Sequence, residues 1–189
     1  MSPKQAYKYM LENGIKKNIE LDIRKIICKN PKYAYECALN IDKSPREDTR
    51  KAACKNPYYA ILYALNIDKG PSEDTREAAC RDPYFAYAYA KDIDKCARKD
   101  TREAACKDLY FIYWYAINVD KGPEDATREL ACKHPKYAYE YALDIDKEAK
   151  ENTRQAACKN PEYAYKYAKD IDKCSRKDTR EAAFKDLYF

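Results

Sequence analysis

The sequence predicts an all-α protein, an α-solenoid in which pairs of short helices stack into a superhelix with a period of 26 residues. Three observations predict it. The stretch Thr101-Arg102-Glu103-Ala104-Ala105-Cys106-Lys107-Asp108 returns in near-copies at Thr49, Thr75, Thr127, Thr153 and Thr179, and more weakly at Ile23, at 26-residue steps. A fixed period of this size marks one supersecondary unit stacked on copies of itself. Glycine is scarce, at three residues, while 37% of the chain is charged, which suits helices and disfavours a sheet with many tight turns. Most copies also carry helix start signals at the same places, an acidic or amide residue before a proline being the clearest.

The elements follow in order. Ser2-Pro3-Lys4-Gln5-Ala6-Tyr7-Lys8-Tyr9-Met10 repeats the second half of a later copy, Pro135-Lys136-Tyr137-Ala138-Tyr139-Glu140-Tyr141-Ala142. Residues 1–22 therefore read as a half-repeat with a looser link after Asn13-Gly14. Six full repeats occupy 23–178, and 179–189 is a second half-repeat, ending on the apolar Leu187-Tyr188-Phe189. Because stacked units share one continuous seam, we expect a single repeat domain over 1–189.

Within a repeat two helices are expected. In the third full copy Asp74 is placed to cap Thr75 to Arg81, with Glu77 closing a capping box, and in several copies the helix begins earlier, near Ser72 or its equivalents. Asp82 then caps a second helix that starts at Pro83, a residue suited to the first helical position, and runs to about Ile93 before the polar link Asp94 to Asp100. At 100° per residue Phe85, Ala86, Tyr89, Ala90 and Ile93 share one side and form the expected core.

The net charge of +5 is small beside 37 basic and 32 acidic residues, so it permits an acidic partner without requiring one. Six of the nine cysteines, Cys28, Cys54, Cys80, Cys106, Cys132 and Cys158, share one place in the repeat, where the last copy has Phe184. Neighbours in such a column lie about 8–10 Å apart, beyond the reach of a disulfide. With Cys37, Cys96 and Cys174 forming no metal-type pair, reduced thiols and a cytoplasmic protein are expected. No leader or membrane-length apolar run is apparent, so no membrane association is expected.

The run Arg50-Lys51-Ala52-Ala53-Cys54-Lys55-Asn56-Pro57 resembles the Arg-x-Ala-Val-Ala-x-Asn-Pro signature of leucine-rich-repeat-variant and HEAT-like solenoids. The period is longer here, and Tyr stands where Leu or Val is usual. The resemblance implies stacked helix pairs that hold a protein or nucleic acid. The tyrosine-rich unit is also similar to repeat proteins carried by phages, which implies a host-directed role in the host cytoplasm.

Two columns repeat without exception, Arg24, Arg50, Arg76, Arg102, Arg128, Arg154, Arg180 and Asp42, Asp68, Asp94, Asp120, Asp146, Asp172. We expect them to pair as a ladder between adjacent units, because a partly buried Arg needs a carboxylate. A lysine column, Lys43, Lys69, Lys95, Lys121, Lys147 and Lys173, sits where a cation complements the helix dipole, as do Lys55, Lys107, Lys133 and Lys159. With aromatics between, the first column also supplies candidate contacts to a nucleic-acid backbone.

His134, the single histidine, stands at a helix-cap position. No nucleophile pair, phosphate loop or metal cluster is apparent, so no catalytic residue, cofactor or metal is expected and the protein is read as a non-enzyme. Function is expected where copies disagree. On the outward side of the second helix the middle repeats carry Tyr58, Ile61, Leu62, Leu65, then Tyr84, then Tyr110, Tyr113, Trp114, Ile117, in place of charged and polar residues such as Lys136 and Glu140. Apolar residues gathered on a solvent side mark a binding surface for a protein partner. A second copy of the chain is the self-associating alternative.

Overall fold

The computed structural model describes residues 1–14, 20–174 and 176–185. The link expected after Asn13-Gly14 falls largely on 15–19, and Leu187, Tyr188 and Phe189 on 186–189, both outside the described residues. The described residues form fourteen α-helices and no strand, in repeated neighbouring pairs of an α-solenoid. The chain divides into two compact units, Met1–Ala104 and Ala105–Phe189.

Unit 1 holds α1 (Pro3–Asn13), α2 (Glu20–Ile27), α3 (Pro31–Cys37), α4 (Glu47–Ala53), α5 (Pro57–Tyr63), α6 (Glu73–Ala79), α7 (Pro83–Tyr89) and nearly all of α8 (Lys99–Ala105). Unit 2 holds α9 (Tyr110–Tyr115), α10 (Asp125–Ala131), α11 (Pro135–Tyr141), α12 (Glu151–Ala157), α13 (Pro161–Tyr167) and α14 (Lys177–Ala183). From α4 on, the even-numbered helices are the first of each pair and the odd-numbered ones the second.

The second helices start as expected. Asn30, Asn56, Asp82 and Asn160 accept from the backbone N–H two residues on, with Pro next in line. At α9 Leu109 replaces that Pro, yet Asp108 still accepts from Tyr110 N–H at 3.0 Å. The first helices start earlier than Thr75. Ser72, not Asp74, is the N-cap of α6, and its Oγ accepts from Thr75 N–H. Asp74 then lies inside the first turn, where its charge still favours the helix N-terminus.

The second helices also end differently from expectation. Each α-helix stops at the Tyr89 position and a π-helical turn follows, as at Ala90–Asp94. Closing this turn is a lysine in the left-handed region, with φ between 51° and 62° at Lys43, Lys69, Lys95, Lys121, Lys147 and Lys173. The reversal lets the next N–H return to the helix: Gly70 N–H donates to Ala64 C=O at 3.0 Å, and Gly122 to Ala116 at 3.0 Å. A residue with a Cβ pays about 1–2 kcal/mol for this conformation. Lys95→Gly is therefore expected to raise stability by about 0.5–1 kcal/mol in urea unfolding, and a loss would contradict the backbone argument.

Core clusters are built from three successive helices. In unit 1 Ala38 after α3 and Ala53 of α4 pack with Tyr63 and Ile67 of the next second helix. One repeat later Ala64, Ala79, Tyr89 and Ile93 do the same, with Phe85 and Ile61 at the margin. In unit 2 the set is Ala142, Ala157 and Tyr167. The alanines let backbones approach closely while one tyrosine per repeat fills the gap.

Candidate binding face

The tyrosines of this core are fully buried although each carries a hydroxyl. Tyr89 Oη lies 2.8 Å from Thr75 Oγ1, accepts from Ser72 N–H at 3.0 Å and donates to Ser72 C=O at 3.1 Å. Tyr63 with Thr49 and Arg46, and Tyr167 with Thr153 and Lys150, repeat the arrangement. Each tyrosine thus ties the start of the first helix of its own pair to the end of the second. Burial pushes these phenols up, Tyr141 to about 12.

Beside this tie lies the Arg–Asp column. Arg76 donates to Asp94 at 2.8 Å and its guanidinium sits 5.7 Å from the Tyr89 ring centre. Arg24–Asp42, Arg50–Asp68 and Arg128–Asp146 pair at 2.6–2.7 Å. The expected ladder between adjacent units is thus corrected: each of these pairs joins the two helices of one repeat, because the Asp ends the second helix that folds back over its own first helix. A link to the next repeat comes from other carboxylates, Asp48 on Arg24 at 2.8 Å and Asp178 on Arg154 at 3.0 Å. Arg24, Arg76, Arg128 and Arg154 are buried, so these four offer no basic stripe to a phosphate backbone.

All nine cysteines are free thiols. In the repeated column Cys54 packs with Ala60 and Ala78 as an apolar filler, whereas Phe184, in the same place of the last copy, is 50% exposed. Burial pushes the thiols up, Cys37 and Cys54 to about 12 and Cys28 and Cys132 to about 11, so the folded state keeps protons that the unfolded chain releases above pH 9.0. These raised values add stability below pH 9 that is lost as pH climbs through 11 to 12. Iodoacetamide at pH 8 should label the exposed Cys96 and Cys174 well before Cys37 and Cys54, as read by peptide mass mapping. Equal labelling would contradict the packing.

The outer residues separate into two groups. Tyr58, Leu65, Tyr84, Tyr110, Trp114 and Ile117 are exposed, while Ile61, Leu62 and Tyr113 are half-buried. Ile61 packs at the margin of the Tyr89 cluster and so shares in stacking. Its place is taken elsewhere by Tyr35, whose hydroxyl accepts from Asn66 at 2.9 Å, and by Tyr139, which donates to Asp170 at 2.7 Å. At Tyr35, Ile61 and Tyr139 that column is a seam between repeats, whereas Tyr165, in the same place of the last full repeat, is exposed.

In unit 1 the free side is aromatic at one edge. The Phe85 ring lies 6.3 Å from Tyr58 and 5.1 Å from Tyr84, so a partly buried ring bridges two exposed ones. In unit 2 Trp114 stands 6.2 Å from Tyr110 and 5.7 Å from Tyr113. No protein-family model, curated protein or solved structure matches this chain.

The six lysines of the left-handed turns are all exposed, and among the described residues none forms an ion pair. His134 occupies the N-cap of α11 but makes no capping bond; its ring meets Tyr137 at 5.5 Å. Among the described residues no group of three or more His, Cys, Asp or Glu could hold a metal, and no helix is long and apolar enough to cross a membrane. A groove of about 790 Å³ in unit 2, lined by Glu162, Tyr165, Lys169, Lys173 and Phe184, adjoins the point where the chain runs into 186–189.

Sequence reasoning missed the Thr–Tyr tie, although the spacing carried it: a Thr at 49, 75, 101, 127 and 153 is always followed fourteen residues later by Tyr. Where Ile23 replaces the Thr, Cys37 replaces the Tyr, and both lie in one apolar cluster.

Proposed function

We propose that the protein is a non-enzymatic, cytoplasmic binding scaffold of HEAT-like type that recognises a protein partner through the outer side of its second helices. The observation that carries this reading is the exposure of Tyr58, Leu65, Tyr84, Tyr110, Trp114 and Ile117 in repeats whose inner face already fills the core. Rigid aromatic side chains held by packed helices make good anchors, because little rotamer freedom is lost on binding. Affinity capture from the native host's extract tests it. Trp114→Ala and Leu62→Asp should abolish recovery of the captured partner, with the thermal melt of the Trp114→Ala protein, altered at an exposed position, close to wild type. Unchanged recovery would remove the reading.

A second reading, nucleic-acid binding through Lys43, Lys69, Lys95, Lys121, Lys147 and Lys173, is favoured by the retention of lysine at six strained left-handed positions where glycine costs less. It requires a low-salt gel shift that disappears steeply as salt rises; no shift at low salt would eliminate it.

A further inference from the structure

The charges that border the outer face of unit 1 carry the partner's chemistry one step further, on the premise that this face is the binding face. Along α5 and its π turn, Tyr58, Leu62 and Leu65 fall four and three residues apart and form one apolar stripe. Lys55 precedes the stripe and Lys69 follows it, both exposed and in no ion pair among the described residues. The one carboxylate on this element, Asp68, is buried against Arg50 at 2.6 Å. Glu73 and Asp74, on the helix after Lys69, are exposed, with Glu73 lying 3.2 Å from Arg76 on its solvent side.

The neighbouring α7 continues the pattern with Tyr84 between Arg81 and Lys95. Arg81 retains an outward charge while donating to Cys54 C=O at 3.2 Å, and its contact with Glu77 is loose at 3.9 Å. Asp82 is engaged as the cap of α7, and Asp92 lies 3.9 Å from Lys91. In the preceding repeat the stripe is interrupted by Glu36, which lies 3.8 Å from Lys32.

The result is an apolar stripe with a cationic border at each end, the borders about 21 Å apart along the helix axis at ~1.5 Å per residue. An α-helix with side chains measures about 10–12 Å across, so one laid over the stripe puts its apolar face on Tyr58, Leu62, Leu65 and Tyr84 and its two flanks within reach of the cations. We propose that the partner segment seated on unit 1 is an amphipathic helix whose apolar face is flanked on both sides by Asp or Glu. A basic helix would meet like charge on both borders, which gives the face its selectivity.

The test uses the full chain and a fluorescein-labelled peptide of about 18 residues with Leu at i, i+3, i+4 and i+7 and Glu on both flanks, read by anisotropy. The acidic peptide should bind at least about tenfold more tightly than the same peptide with Lys for Glu, and should weaken as salt rises. Lys55→Glu combined with Lys69→Glu should lose that preference and gain affinity for the Lys peptide, with an unchanged circular dichroism spectrum. Since Lys69 holds a left-handed turn, Lys55→Glu alone, which leaves that turn intact, should halve the preference or more.

Equal binding of both peptides, or binding of neither, overturns the acidic assignment. It leaves the protein-binding reading standing if capture still depends on Leu62 and Trp114. Displacement of the acidic peptide by an oligothymidylate overturns it in favour of a nucleic-acid strand. A concentration-dependent dimer in sedimentation that Leu65→Asp abolishes overturns it in favour of a second copy.

Discussion

Replacing Asp94 with alanine will destabilise unit 1 by about 3–5 kcal/mol, because it leaves the Arg76 guanidinium buried without its carboxylate. Both side chains are almost wholly inside, Arg76 at 8% and Asp94 at 2% exposed, so water cannot replace the lost partner. Glu73 cannot compensate, since it is 84% exposed and reaches Arg76 from the solvent side at 3.2 Å. The Arg76 charge is held by three contacts to Asp94, and only the ring face and the solvent-side Glu73 contact remain in the variant. Removing both charges, as Arg76→Met with Asp94→Leu, should return most of the loss, because a desolvated pair contributes little net stability over apolar filler. Urea midpoints of the two single variants and the double variant measure this coupling. A single-variant loss below about 1 kcal/mol would show that the column is a solvated surface pair.

The second large effect is at the buried phenol. Tyr89→Ala should cost about 3–5 kcal/mol through the cavity left between the Ala64, Ala79 and Ile93 side chains. Tyr89→Phe isolates the hydroxyl. It keeps the ring but strands Ser72 N–H, which sits 3.0 Å from that oxygen, for a cost of about 1–3 kcal/mol. Tyr58, one column away and half exposed, provides the control: Tyr58→Ala should change the midpoint by less than about 0.5 kcal/mol. If Tyr58 and Tyr89 behaved alike, the division of tyrosines into core and surface would be wrong.

How much of this was legible in the sequence follows from what each feature depends on. The helix pairs and their core were readable because periodicity is a property of the chain alone: Ala86, Tyr89, Ala90 and Ile93 fall on one helical face at any register, and all four are buried. The starts of the second helices were readable from Asp82 and its equivalents before Pro. The helix ends were not. A π turn closed by a left-handed lysine has no residue signature here, because glycine, the usual marker, is absent from all six closing positions.

The Arg–Asp pairing was legible as a pairing, but its direction was not, since a column repeating every 26 residues looks the same whether Arg76 reaches Asp94 of its own repeat or a carboxylate of the next. Only the fold-back of the second helix decides it. On the outer face the sequence separated charged from apolar positions, of which Ile61, Leu62 and Tyr113 are half-buried. It could not tell that Ile61 leans into the seam while Tyr58, three residues earlier, stays free. Three positions on a helix differ by about 60° in facing from full register, and the tilt of the neighbouring helix decides which of two such residues it covers.

We propose that the inner columns hold the stack while the outer columns of the middle repeats bind a partner. Affinity capture from extract of the source cells with the triple variant Tyr58→Ser, Tyr84→Ser, Trp114→Ser, run beside its urea unfolding curve, separates the two roles. The expected result is loss of the captured partner with a midpoint near that of wild type. Full recovery of the partner by a protein with a normal midpoint would contradict it.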